Sequence, residues 1–104
     1  MSEQSFNVQA APNESKIQGK IVKINKDTES MSQVWDVKIE KSVDVKGMPN
    51  FTKSRLGNSV KIYLPLDIKG KFKKGDLIEA SVTFQGDEAG GVFFAVDDEI
   101  QKVD

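Results

Sequence analysis

The stretch from Lys16 to Lys26, KIQGKIVKINK, decides the fold of this 104-residue chain. Ile17 and Ile21 alternate with polar residues at the period of a β-strand, and Val22 and Ile24 then continue the alternation in the opposite phase. A phase slip beside a glycine, here Gly19, is typical of a β-bulge or a strongly bent strand. The stretch therefore predicts a long first strand that bends.

Period-two patterning predicts four further strands, Gln33–Lys41, Ser59–Leu64, Leu77–Phe84 and Val92–Val96. Turn residues separate them, with a connector at 25–32, a Gly- and Pro-containing loop at 46–58 and a Gly-rich hairpin loop at 86–91. Residues 66–74 are short and contain glycine, so at most a helical turn is expected there. Five short strands with almost no helix predict an all-β closed barrel, because closure removes exposed strand edges.

The barrel is predicted to span residues 16–98, as one domain. Residues 1–15 are polar and are expected to form a flexible tail, and the acidic end at 99–104 is expected to fray. The N-terminus lacks a basic region followed by an apolar one, and no stretch approaches the length of a membrane helix. A cytoplasmic protein without a membrane partner is therefore expected.

These features resemble the OB-fold over about residues 16–98: the bent first strand, the second and third strands, the KGDLI entry to the fourth strand at 74–78, and the hairpin at 84–93. The chain departs from that pattern because the helix between strands three and four is reduced to a turn, which leaves another small barrel, such as an SH3-like one, open. The resemblance implies binding of an oligonucleotide or oligosaccharide across strands two and three. It places Lys38, Lys61 and Tyr63 on the binding face and residues 25–32 and 85–91 in its walls.

The net charge of −1 hides two blocks of opposite sign. Residues 46–74 carry eight cations and one anion, a net +7, and residues 75–104 carry eight anions and one cation, a net −7. A basic region that contains aromatic residues is a candidate anion-binding surface. The run at 69–74 has two interpretations, a phosphate contact or a solvated turn, and the acidic cluster at 97–99 is interpreted as a solvated end.

Two candidate groups for nucleic-acid contact lie within the basic block. Phe51, Lys53 and Arg55 combine a ring that can stack on a base with cations that attract phosphates; alternatively, Phe51 folds back onto the core. Lys61 and Tyr63 point away from the apolar side of strand three, so that Tyr63 either stacks on a base or is half-covered by the long loop.

Trp35 and Phe93 have two interpretations each. Trp35 shares its phase with Val37 and Ile39, which favours the core, unless the second strand begins later and leaves Trp35 at the barrel mouth. Phe93 is out of phase with its neighbours and is either exposed beside the hairpin or packed against a terminal segment. Both rings remain candidates for stacking on bases.

Catalysis is poorly supported, because the chain contains no cysteine and no histidine. The sequence predicts a binding module with no cofactor and no metal, which binds single-stranded DNA or RNA with weak sequence preference. The alternative is a protein-interaction or assembly subunit, in which the two charged blocks bind a partner or a second copy. A third interpretation is oligosaccharide binding.

Overall fold

Five strands form a closed barrel in a computed structural model of the chain, which describes residues 12–27, 29, 32–65, 68, 71–87, 90–96 and 100–103. The strands are β1 (Ser15–Asp27), β2 (Ser32–Asp44), β3 (Ser59–Pro65), β4 (Leu77–Asp87) and β5 (Gly90–Ala95). They pair in the order β1-β2-β3-β5-β4, and β4 pairs back onto β1. The predicted all-β barrel is confirmed, and the described residues between β3 and β4, 68 and 71–76, contain no helix.

The barrel closes through one parallel seam. β3 and β5 run parallel and pair at only two positions, Ile62 with Phe93 and Tyr63 with Phe94. The pairings β1–β2, β1–β4, β2–β3 and β4–β5 are antiparallel and longer. The seam is therefore the shortest of the five pairings that make the barrel.

The bend predicted in β1 is present as two irregularities of register against β2. One lies between Gln18 and Gly19, and the other lies between Ile21 and Lys23, where Val22 is the extra residue and is exposed. β1 approaches β2 so closely at Gly19 that a Cβ there would lie 2.5 Å from Val37 Cγ1 and 2.6 Å from the Lys38 carbonyl oxygen. Glycine thus permits the close strand contact, and the bulge reverses which side chains face inward.

The core fills the barrel with side chains from all five strands. Burying each large aliphatic side chain contributes about 1.5–3 kcal/mol, so these residues supply the main driving force for folding. The buried apolar residues are Ile17, Ile21, Trp35, Val37, Ile39, Val60, Ile62, Leu64, Ile78, Ala80, Val82, Phe93 and Ile100.

Irregular segments cover the two ends of the barrel. At one end, Ile68 and Phe72 pack against the core from the connection between β3 and β4. At the other end lies the loop between β2 and β3, which contains a single 3₁₀ turn at Lys53–Arg55. Asn13 lies at this second end, where its side chain donates to the Phe84 carbonyl at 2.9 Å and accepts from the Phe84 amide at 2.8 Å.

The ordered structure extends beyond the predicted boundaries at both ends of the domain. The expectation that the chain is flexible up to residue 15 is wrong for Asn13 and Ser15, which are buried, whereas residues 1–11 lie outside the described part. The expectation of fraying after residue 98 is wrong for 100–103: Ile100 is buried, and β6 (Gln101–Lys102) pairs with β4. The 86–91 loop is also shorter than predicted, because Gly86 pairs with Gly91 and Asp87 with Gly90.

Candidate nucleic-acid interface

The outer side of β2 and β3 brings together Lys38, Lys61 and Tyr63. Lys38 pairs with Ser59, and Val34 pairs with Tyr63, so these side chains project outward from neighbouring strands. Lys38 and Lys61 are exposed and Tyr63 is half-buried. Lys61 and Tyr63 are two residues apart on one strand and therefore about 6.6 Å apart along it.

Four lysines lie around Asp36 on this side of the barrel. Lys61 Nζ lies 3.1 Å from Asp36 Oδ1, in an ion pair whose lysine side chain is 62% exposed. On the other flank, Lys23 is opposite Asp36 and Lys20 is opposite Lys38. We call Lys20, Lys23, Lys38 and Lys61 the lysine face. Because the four ammonium groups outnumber the carboxylates of Asp36 and of the exposed Glu40, two residues after Lys38 on β2, the surface attracts anions.

Lys20 and Lys23 are functional candidates that the sequence analysis missed. The bulge at Val22 shifts the register, and this shift places Lys23 opposite Asp36 on the outer side. The alternation of apolar residues indicated the bulge, but it did not indicate which residue of the neighbouring strand lies opposite each residue of β1. Like charges directly opposite each other, as at Lys20 and Lys38, are unfavourable, so folding alone does not explain their juxtaposition.

An aromatic pair continues the lysine face toward β5. The rings of Tyr63 and Phe94 lie 5.5 Å apart between centroids at an interplanar angle of 40°. They line a shallow cleft of about 220 Å³ together with Ser32, Leu64, Pro65 and Ala95. The cleft is mainly apolar and adjoins Lys61 along β3. A flat apolar group can therefore contact the cleft while a neighbouring anionic group contacts Lys61.

The loop between β2 and β3 presents the other predicted candidates. Lys53 and Arg55 are exposed on the 3₁₀ turn. Phe51 is 40% exposed, and its ring lies 5.4 Å from that of Phe84. Phe51 therefore combines the two predicted situations, because it is partly packed on the barrel and partly available to solvent.

A network of hydrogen bonds fixes the conformation of this loop. Asn50 Oδ1 accepts from the amides of Thr52 and Lys53 at 2.8 and 3.1 Å, and from the Thr52 hydroxyl at 2.9 Å. Asn50 Nδ2 donates to Ser42 Oγ and to Asp44 Oδ1, both at 2.9 Å. Thr52 is completely buried.

The loop is also attached to β2 near the lysine face. The Gly57 amide donates to the Ile39 carbonyl at 2.8 Å, and the Ile39 amide donates to the Asn58 carbonyl at 3.0 Å. Because Ile39 follows Lys38, this attachment places the end of the loop next to the lysine face. Lys53 and Arg55 lie only a few residues before Gly57, where the loop is attached.

Trp35 and Phe93 are both buried, as the core interpretation of Trp35 predicted and contrary to the exposed alternative for each ring. Trp35 is 1% exposed, and its Nε1 donates to Gln33 Oε1 at 3.0 Å. Phe93 is 3% exposed and packs 5.1 Å from the Phe84 ring. β5 turns Phe93 into the core and Phe94 outward, so it is Phe94 that lies beside Tyr63.

Other candidate segments are described only in part. Lys71, Lys73 and Lys74 of the basic run are exposed, and Lys69 lies outside the described residues. The acidic cluster at 97–99 also lies outside them, as do residues 28, 30 and 31 of the predicted wall at 25–32. Among the described residues, no group of three His, Cys, Asp or Glu side chains is arranged to hold a metal ion.

Comparisons with known proteins found no match: no family model matches the chain, and no curated protein and no solved structure is significantly similar to it. Within the described part of the chain, no helix has the length and apolar character needed to span a membrane. The argument for function therefore depends on the chemistry of the surface.

Proposed function

We propose that this chain is a binding module for single-stranded nucleic acid, with weak sequence preference, built on an OB-like barrel. The observation that carries the proposal is the adjacency of the lysine face to the Tyr63–Phe94 pair on β2, β3 and β5. OB-folds are five-stranded Greek-key barrels that bind oligonucleotides across strands two and three, which is the side that carries this surface. Sequence-tolerant binding of single strands combines a basic surface with rings on which bases stack.

In the proposed complex the lysines neutralise phosphates and the aromatic pair holds a base. Stacking of one base on an aromatic side chain contributes about 1–3 kcal/mol. Each phosphate contact releases counterions, so the affinity falls with salt by roughly 0.7 in log–log slope per contact for a single strand. Lys53 and Arg55 extend the basic surface beyond Lys38.

Fluorescence anisotropy of end-labelled oligo-dT, titrated with the protein at low and at high salt, tests the proposal. We expect binding at low salt that weakens steeply with salt. A labelled oligonucleotide is the appropriate reporter, because Trp35 is buried away from the outer face. Folded protein that leaves the anisotropy unchanged at low salt would end the hypothesis.

Two variants distinguish the contribution of the lysines to binding from that of the Tyr63 ring. Lys38→Gln/Lys61→Gln should lower the salt slope by about 1.4, corresponding to two lost phosphate contacts. Tyr63→Leu keeps an apolar side chain and should weaken binding about 5- to 150-fold without changing that slope, because it removes only stacking. The matched control, Lys16→Gln/Lys73→Gln, changes the same net charge at exposed positions on β1 and before β4; an equal loss with this control would contradict a localised site.

A protein-interaction module is the second candidate. Met48, Phe51 and Leu56 are exposed apolar side chains of the fixed loop between β2 and β3, and Lys46, Lys53 and Arg55 surround them in sequence. Exposed apolar side chains near charges are typical of protein interfaces. Sedimentation of the protein alone distinguishes the candidates: salt-sensitive oligomers without oligonucleotide favour assembly, and a monomer that changes only with oligonucleotide favours nucleic-acid binding.

A further inference from the structure

The barrel has a second recess, which lies at one end of the barrel and is separate from the outer face. It lies at the end covered by the connection between β3 and β4, and its volume is about 220 Å³. The half-buried Phe72, packed on the buried Trp35, supplies the aromatic wall, Gln33 supplies an amide, and Lys26 and Lys71 supply cations. We call this recess the end cleft.

The aromatic wall of the end cleft is held in place from several directions. The Trp35 and Phe72 rings lie 5.2 Å apart at 54°. Lys102 Nζ lies 5.9 Å from the centroid of the Phe72 ring and 3.5 Å from Asp76 Oδ2. Phe72 is thus positioned by a ring and by a cation, although it belongs to a connection without regular structure.

The polar atoms of the end cleft are also oriented. Gln33 is 5% exposed, and its Oε1 accepts from Trp35 Nε1 at 3.0 Å while its Nε2 donates to the Pro65 carbonyl at 3.3 Å. These bonds fix the direction of the amide, so the surface beside the rings has a defined polarity. Buried amides fixed in this way give a site orientation-dependent recognition.

The charge at the opening is positive. Lys26 and Lys71 are both exposed, and neither takes part in an ion pair among the described residues. Lys26 lies on β1 and Lys71 on the connection, so the two ammonium groups come from separate elements. A pair of unneutralised lysines beside an aromatic wall suits a flat ring that carries an anion.

We propose that the end cleft binds a mononucleotide, with the heteroaromatic base against Phe72, behind which Trp35 is buried, and the phosphate between Lys26 and Lys71. The volume of about 220 Å³ is below the roughly 300–1,000 Å³ of sites that enclose drug-sized ligands, so the cleft receives only part of the nucleotide, its base. The phosphate then remains at the exposed opening, where Lys26 and Lys71 lie. This site is separate from the outer face and does not depend on the proposed function.

Trp35 is the only tryptophan and lies behind Phe72, so its fluorescence is sensitive to a ligand in the end cleft. The full chain is titrated with AMP and excited at the red edge of the tryptophan band, where AMP does not absorb. We expect a saturable change in Trp35 emission, with adenosine and inorganic phosphate each binding at least about tenfold more weakly than AMP, because each makes only part of the contacts. A flat AMP titration, or equal affinity for adenosine or for phosphate alone, overturns the proposal.

Charge variants locate the bound phosphate. Lys26→Gln/Lys71→Gln should weaken AMP binding at least about threefold and leave adenosine binding unchanged, because only the phosphate contacts are removed. The control Lys16→Gln/Lys46→Gln makes the same change in net charge at exposed positions outside the cleft and should leave AMP binding unchanged. An equal loss in both double variants assigns the effect to overall charge and overturns the site.

Discussion

Gly19 is the residue at which the fold depends most directly on one side chain being absent. The hypothetical Cβ meets not only the Val37 side chain but also the backbone oxygen of Lys38. A side chain can move aside, whereas a carbonyl within a paired strand cannot do so without disturbing the pairing of β1 with β2. The glycine is therefore required by packing rather than by backbone conformation.

Gly19→Ala should destabilise the barrel by about 2 kcal/mol or more, because it overpacks a strand contact. Urea denaturation measures the loss as a lower midpoint. Gly47→Ala is the comparison, since Gly47 has φ +81° but nothing within 4 Å of an added Cβ. It should cost only about 1 kcal/mol, from the left-handed backbone conformation. A Gly19→Ala protein as stable as the wild type would contradict the close approach.

At the scale of elements, alternation predicted the strands well because one face of each strand is buried in the barrel. Val60, Ile62 and Leu64 all face inward as the pattern of β3 required. β6 was not predicted, because a two-residue strand contains no periodicity. The pattern left the orientation of Phe93 open for a related reason: Phe93 and Phe94 are adjacent on β5 and have the same apolar side chain, so only the strand pairing decides which one faces inward.

Ile100 shows that the segment before β6 contributes to the core. Ile100→Ala should cost about 2–5 kcal/mol, through lost burial and the cavity that it leaves. Val96→Ala is the matched control, because Val96 is 44% exposed, and it should change stability by less than about 0.5 kcal/mol. Equal midpoints for the two variants in urea would show that this segment is detached from the barrel.

Asn50 organises the loop between β2 and β3. Asn50→Ala removes the acceptor of the Thr52 and Lys53 amides and one of the three partners of the buried Thr52 hydroxyl, which keeps Ser42 and Ser15, at a cost of about 1–3 kcal/mol. Hydrogen exchange should accelerate at the amides of Thr52 and Lys53 while the amide of Ile62 remains protected. Asn25→Ala, at an exposed position on β1, is the control. Unchanged exchange at both loop amides would show that Asn50 does not hold the loop.

At the scale of the whole molecule, the charge blocks of the sequence do not correspond to the charged surfaces of the barrel. Lys20, Lys23 and Lys38 of the lysine face lie outside residues 46–74, and they join Lys61 only through strand pairing. The sequence analysis identified Lys38, Lys61 and Tyr63 by the outward phase of their strands. The rest of the surface depends on contacts between residues that are distant in sequence. Charges counted over segments of the sequence give no information about such contacts.

One core implies one cooperative transition. Unfolding in urea followed by Trp35 fluorescence and by far-UV circular dichroism should give superimposable curves, because Trp35 belongs to the same core as every barrel strand. An earlier transition in Trp35 fluorescence would instead show that the end of the barrel near Phe72 opens separately.

The two-pair parallel seam also determines when the barrel can form during synthesis. β1, β2 and β3 can associate as soon as residue 65 has left the ribosome, but the free edge of β3 must then wait for Phe93 and Phe94. During that interval an unpaired strand edge is available to other nascent chains, and such edges promote aggregation. Aggregation of this protein should therefore be most pronounced in the interval between the exit of residue 65 and the exit of residue 95 from the ribosome.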